Sequence, residues 1–186
     1  MNRKIIFAAM LAALFVQGCA LKFALEKKPD ISGLTAALDV KCVKQQNDAM
    51  CGPASAQMVA DYYGLTLNSS VLAELGGEAK NAGGITAASM KELFTSSGFD
   101  AAVFPGKLDG SFQGLYRNLD KKRPIIILLS PVKGAIGHYV VVCGYNAQKK
   151  LIEIMDPVKC LNIMDNDDMV REWGNSGNLT ILALPQ

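Results

Sequence analysis

Residues 45–64 read QQNDAMCGPASAQMVADYYG, and the junction at Cys51 decides the fold. Gln45 to Met50 is irregular. From Cys51 onward Met58, Val59, Tyr62 and Tyr63 recur at helical spacing until Gly64 ends the run. Pro53 marks a first turn, where its missing N–H would have had no partner anyway. The pattern predicts a buried helix with Cys51 at its N-terminus. There the free N–H groups and the partial positive charge favour a thiolate, and cysteine pKa values in such places fall from about 8.5 toward 3.5–7.5. Gly52 leaves room for a substrate beside the sulfur. Gln45, six residues upstream, can fold its amide back beside the Cys51 N–H, and the pair would donate to an oxyanion. Gln46 competes for that place. Taken singly, Cys51 reads rather as a small buried hydrophobe.

Downstream lies the chain's single histidine, His138, at the head of a Val-rich run to Tyr145. A second apolar run, Lys149–Asp156, ends at Pro157, and the turn-like Asn146-Ala147-Gln148 between the two predicts a hairpin. Folded symmetrically about Ala147, it pairs His138 with Asp156, Val140 with Ile154 and Val142 with Ile152. All six fall on one face because side chains alternate along a strand. Imidazole and carboxylate would then have Cβ atoms roughly 4.5–5.5 Å apart. With one ring nitrogen bound to Asp156, the other is free to take a proton from Cys51 and give it to a leaving amine. A one-residue slip would send His138 to the opposite face.

The remaining elements fill in an α+β fold with an antiparallel sheet. A short strand is expected at Val40–Val43, a short helix from about Ser70 to Leu75 closed by Gly76-Gly77, and a helix from Ala87 to Ser97 capped by Thr86. A strand at Ala101–Phe104, a helix near Ser111–Leu119 and a buried strand Ile125–Leu129 follow. A last helix near Asp167–Trp173 and a strand Leu179–Leu184 close the domain. Met155, Met164 and Met169 fit core packing, and Lys121-Lys122-Arg123 fits a solvated turn.

The N-terminus reads as an export signal. Arg3 and Lys4 precede twelve apolar residues, Ile5 to Val16, too few for a membrane-spanning helix of about 20. Val16-Gln17-Gly18-Cys19 resembles a bacterial lipobox, with Gln17 where a small residue is usual. That resemblance implies acylation of Cys19 as the first mature residue. Ala20 after it favours the outer membrane, facing the periplasm. The expected organisation is therefore a signal peptide over 1–18, a tether and lead-in over 19–39, and a catalytic domain over 40–186. Half of the residues are hydrophobic and 19% are charged, which excludes a disordered chain. Without Arg3 and Lys4 the 19 basic residues become 17, equal to the 17 acidic ones. Nucleic-acid binding, which needs a basic excess, is set aside. With one histidine and no C-x-x-C pair, no metal site is expected, and nothing calls for a cofactor.

Taken together, Gln45, Cys51-Gly52-Pro53-Ala54, Tyr62-Tyr63-Gly64, His138-Tyr139-Val140-Val141-Val142 and Asp156-Pro157 resemble the bacteriocin-processing, double-glycine leader cysteine peptidases, a papain-like family. The resemblance implies Gln45 as oxyanion donor, Cys51 as nucleophile, His138 as general base and acid, and Asp156 as its orienting partner. It also implies a peptide or protein substrate, cut after small residues. The best-known members are domains of ATP-driven exporters, whereas this chain carries an export signal and lacks a glycine-rich ATP loop. The expectation is thus a free-standing, lipid-anchored envelope endopeptidase acting on an exported peptide or protein. A thiol amidase or acyl transferase, and a lipid-anchored binding module that keeps the cleft without turnover, are the alternatives. Of Cys42, Cys143 and Cys160 an oxidising periplasm leaves one odd; a Cys42–Cys160 bridge is conceivable because both lie near segments that must converge at the site.

Overall fold

The structure, a computed structural model, describes Gly33 and residues 35–186. The expected signal peptide over 1–18 and the lipidation site Cys19 lie outside the described residues. Helices come early and strands late: β1 Ala36–Ala37, α1 Cys51–Tyr63, α2 Ser69–Ala82, α3 Ala87–Thr95, β2 Phe99–Pro105, α4 Leu115–Asp120, β3 Ile125–Leu129, β4 His138–Asn146, β5 Leu151–Asp156, β6 Cys160–Asp165, α5 Asn166–Asn175 and β7 Leu179–Pro185. The strands form one seven-stranded sheet in the order β2-β7-β3-β4-β5-β6, with β1 also on β4, and every pair is antiparallel. The α+β class with an antiparallel sheet is as expected.

Helix α1 has the predicted bounds because its punctuation is local: Pro53 lies in the first turn and Gly64 takes the left-handed cap at φ 70°. Its face of Ala56, Met58, Val59 and Ala60 is buried, and the helix lies against β4. Trp173, Phe94, Phe99, Met90 and the Ile125–Ile127 run of β3 complete the core, each no more than 1% exposed. Burying such side chains contributes about 1.5–3 kcal/mol each. Trp173 meets its polar need by donating Nε1–H to the Leu179 carbonyl at 3.0 Å.

Four expectations need correction. Val40–Val43 is not a strand; the sheet instead takes Ala36–Ala37, whose pairing with Tyr145 and Gly144 is flanked by the N–H groups of Thr35 and Leu38, which donate to the carbonyls of Tyr145 and Cys143. Helix α2 runs through Gly76-Gly77 to Ala82 and stops at Gly83, φ 73°. The two glycines cost about 1 kcal/mol each relative to alanine. Burial of Leu75 and Ala79 and the Asn68 cap, which accepts from Ser70 N–H at 3.0 Å, carry the helix past them. Helix α4 begins only at Leu115, since Asp109 ties residues 109–111 into a turn by accepting from Ser111 N–H. Strand β6 was not expected at all.

Candidate active site

Cys51 is the first residue of α1, and no side chain caps that end: Met50 precedes it at φ −101°. The helix's free N–H groups are therefore available to an anion. The thiol is 6% exposed and faces β4, where the Tyr139 N–H donates to Sγ at 3.5 Å. One turn further along α1, the buried Ser55 hydroxyl donates to the Tyr139 carbonyl at 3.1 Å. Cys51 and Ser55 thus hold both backbone polar groups of one residue of β4, and that residue adjoins His138. Sequence reasoning did not find this clamp. The N–H of Tyr139 carries no side-chain signal, but Ser55, a polar residue four positions from Cys51 on a buried helix face, was the available hint.

His138 and Asp156 meet, though not by the expected pairing. The register places Val142 opposite Ile154 and Val141 opposite Met155, two residues away from the symmetric hairpin. Nearer the turn the offset is three, with Gly144 opposite Glu153 and Asn146 opposite Leu151 around a loop over 147–150, and a bulge at Cys143 takes one residue back. A shift of two preserves the face, so His138 and Asp156 become diagonal rather than direct neighbours. Their side chains still join, with His138 Nε2 2.9 Å from Asp156 Oδ1. The same oxygen accepts the Val158 N–H at 2.7 Å and the Lys159 N–H at 3.4 Å, which fixes the carboxylate within its own turn. Gly137, just before His138, lets the chain lie close on β3, because a Cβ there would lie 2.6 Å from Leu128 Cγ.

The three groups change one another's ionisation. Burial raises the Cys51 pKa, but the His138 side chain, the N–H groups of Tyr139 and Gly52 and the charge on His138 together outweigh it, and the thiol ends below its ordinary 9.0. His138 is pushed up to about 9, first by the Asp156 carboxylate and then by Cys51, against its burial. Asp156, despite burial, is held below the usual carboxylate range by His138 and the Val158 and Lys159 N–H groups. Opposite charges on sulfur and imidazole are favoured together.

Two cavities lie on either side of residues 48–51. A narrow cleft of about 220 Å³ is lined by Cys51, Gly83, Gly84, Leu128 and Tyr139. A larger groove of about 410 Å³ runs between Gln45, Met50, Ala54 and the α2 residues Leu72 and Gly76. Gln45 lines the groove and not the cleft. Its amide donates to the Asn47 carbonyl at 2.9 Å, while its buried Oε1 has no partner. Gln46 lines the same groove and is exposed. Cys42 and Cys160 form a disulfide, leaving Cys143 as a buried thiol beside Glu153. No group of metal ligands is found among the described residues, and no helix among them is long and apolar enough to cross a membrane.

A helix-borne thiol facing a histidine–carboxylate pair on a following antiparallel sheet defines a papain-like peptidase domain. The sequence pattern of the Peptidase_C39 like family matches residues 37–181, and the chain belongs to that family. The chain is similar to the peptidase domain of Streptococcus ComA, a bi-functional ABC transporter involved in a quorum-sensing pathway, with 28% identity, 79% of this chain and 99% of that one covered, and a TM-score of 0.61. A double glycine motif protease from an AMS/PCAT transporter, solved with its leader peptide, is 20% identical, with 82% and 96% covered and a TM-score of 0.61. A C39-like peptidase from Bacillus anthracis is 17% identical, with 82% and 98% covered and a TM-score of 0.60. The last two likenesses concern the fold alone. No curated protein matches the chain.

Proposed function

We propose that this protein is a cysteine endopeptidase that cuts an exported peptide or protein in the bacterial cell envelope. The observation that carries the reading is the His138–Asp156 pair, joined at 2.9 Å, beside Cys51, whose sulfur accepts the N–H of the very next residue, Tyr139. Because Nε2 is engaged by Asp156, the other ring nitrogen, Nδ1, serves the sulfur. The thiolate attacks the scissile carbonyl, and the imidazolium then gives its proton to the leaving amine. Water, deprotonated by the same imidazole, frees the acyl group and restores the thiol. The Cys51 N–H and the second N–H of the Gln45 amide are the oxyanion donors. Asp156 keeps the ring oriented and its charge stabilised.

The substrate is a chain that crosses from the groove to the cleft over Sγ. The cleft's 220 Å³ is below the roughly 300–1,000 Å³ of ligand pockets, and two of its walls are Gly83 and Gly84, which suits small side chains before the cut. Ile136, 76% exposed at the cleft, and Val158, 51% exposed beside Asp156, offer apolar contacts to flanking residues. The Cys42–Cys160 disulfide supports an oxidising compartment. With the lipobox-like Cys19 it favours a lipid anchor in the outer membrane, facing the periplasm.

Incubating the full-length chain with a peptide library, beside Cys51→Ala, tests the reading. Cleavage after small residues is expected from the parent and not from the variant. Binding of peptides by both proteins, with no cleavage by either, would favour a binding module. Release of ammonia without chain scission would favour an amidase.

A further inference from the structure

We propose that the Cys42–Cys160 disulfide is a positioning device for the active site: it holds the turn bearing Asp156 against the segment bearing Gln45, and without it the Cys51–His138–Asp156 chain loosens while the fold persists. The proposal rests on the peptidase reading above.

Three ties join these two segments, and they run in order. Cys42 is bonded to Cys160, the Lys44 ammonium donates to the Val158 carbonyl, and the Gln45 N–H donates to the Pro157 carbonyl at 3.1 Å. Residues 42–45 therefore lie along residues 157–160 in the opposite direction. Only the disulfide is covalent. The lysine tie is exposed and costs side-chain entropy to hold, so it contributes little alone.

The turn itself needs outside support. Asp156 pairs with Cys160 across Pro157, Val158 and Lys159, and the hairpin they close stands at the sheet's edge, because β6 pairs only with β5. Cys160 takes a left-handed backbone at φ 66°, a place that favours glycine in three-residue hairpin loops. A residue with a Cβ persists there only where its surroundings over-determine it. Within the turn, the Val158 and Lys159 N–H groups orient the carboxylate relative to the turn, and nothing in that pattern fixes the turn relative to α1. The bridge supplies that second constraint. It enters the chain nine residues before Cys51 and four after Asp156, on the segments next to the sulfur and the carboxylate. Displacing a reacting group by about 1 Å can cost 10²-fold in rate.

The test compares the full-length parent with the double variant Cys42→Ser/Cys160→Ser, without added reductant. Three properties are read: the circular dichroism melt, the pH dependence of iodoacetamide labelling at Cys51 followed by peptide mass, and kcat/KM on a cleaved library peptide. The proposal expects a folded variant that melts cooperatively. Its labelling profile is displaced to higher pH, and kcat falls about 10²-fold with a smaller change in KM. Reduction of the parent by a water-soluble phosphine, which takes its oxygen from water to become the phosphine oxide and leaves two thiols, should reproduce both changes, and removing the phosphine and reoxidising with a small-molecule disulfide, itself reduced to thiols, should reverse them. Reductants would thus inhibit this thiol enzyme rather than activate it. A folded variant with the parent's labelling profile and turnover would overturn the assignment. Unfolding of both the variant and the reduced parent would overturn it too, since the bridge would then staple the whole fold. If the parent cleaves nothing, the peptidase reading fails, yet the labelling profiles still decide whether the bridge positions Cys51 and His138.

Discussion

At the scale of single residues, His138 is the point on which the chemistry turns, because Asp156 and Cys51 both act on its ring. The ion pair is present at pH values above the lowered Cys51 pKa and below that of His138. Turnover should therefore rise through a limb lying below 9.0 and fall through a limb near 9. Asp156→Asn removes the largest cause that raises His138, so the alkaline limb should move down toward 6.5, and kcat/KM should drop by roughly 10²–10⁴-fold. A pH–rate profile of the variant checks both; an unmoved alkaline limb would count against the assignment of that limb to His138. Cys51, His138 and Asp156 were legible in the sequence as candidates because residue type narrowed the choice to one histidine, one helix-start thiol and one Asp-Pro. Gln45 was legible only as a candidate. Which cavity its amide lines depends on loop geometry between residues 45 and 50, which no periodicity reports.

At the scale of elements, the site is made by α1 meeting β4, with Ser55 joining the two and Gly137 letting the chain before His138 lie close on β3. Ser55→Ala leaves the Tyr139 carbonyl without its hydroxyl partner and should cost about 1–3 kcal/mol in denaturant unfolding. Ser55→Thr, which keeps the donor, should recover the thiol reactivity that the alanine variant loses. Gly137→Ala drives a methyl to within 2.6 Å of Leu128 and should destabilise by about 1–3 kcal/mol, with the displacement passing to His138 next door. Loss of stability without loss of activity in Gly137→Ala would mean that β4 yields elsewhere. The elements that could be read from sequence were those with local punctuation, such as α1 between Pro53 and Gly64. Those that could not were settled at a distance. Helix α2 outruns Gly76-Gly77 because Leu75 and Ala79 are buried, and the hairpin register moves by two because the loop over 147–150 shifts it by three and a bulge at Cys143 takes one residue back. Strand β6, with Asn162 and Asp165 in it, has too little apolar alternation to announce itself and forms because β5 offers an edge.

At the scale of the whole molecule, the disulfide closes a loop with a sequence separation of 118, binding the first part of the domain to its second half. Loop-closure entropy alone would make its removal cost about 4–5 kcal/mol, and native bridges in small domains give 2–5. Chemical unfolding of Cys42→Ser/Cys160→Ser should show a loss in that range at an increased m-value, since the unfolded chain is no longer cross-linked. The order of elements, helices before strands, was enough to read the α+β class. The strand order β2-β7-β3-β4-β5-β6 was not, because it depends on β7 entering between β2 and β3. The central claim is that this fold brings His138 to Cys51 and so makes a reactive thiolate. It is tested most directly by the rate of Cys51 alkylation against pH in the parent and in His138→Ala. A parent profile rising below the ordinary thiol range and displaced upward in the variant is predicted; coincident profiles would contradict the account.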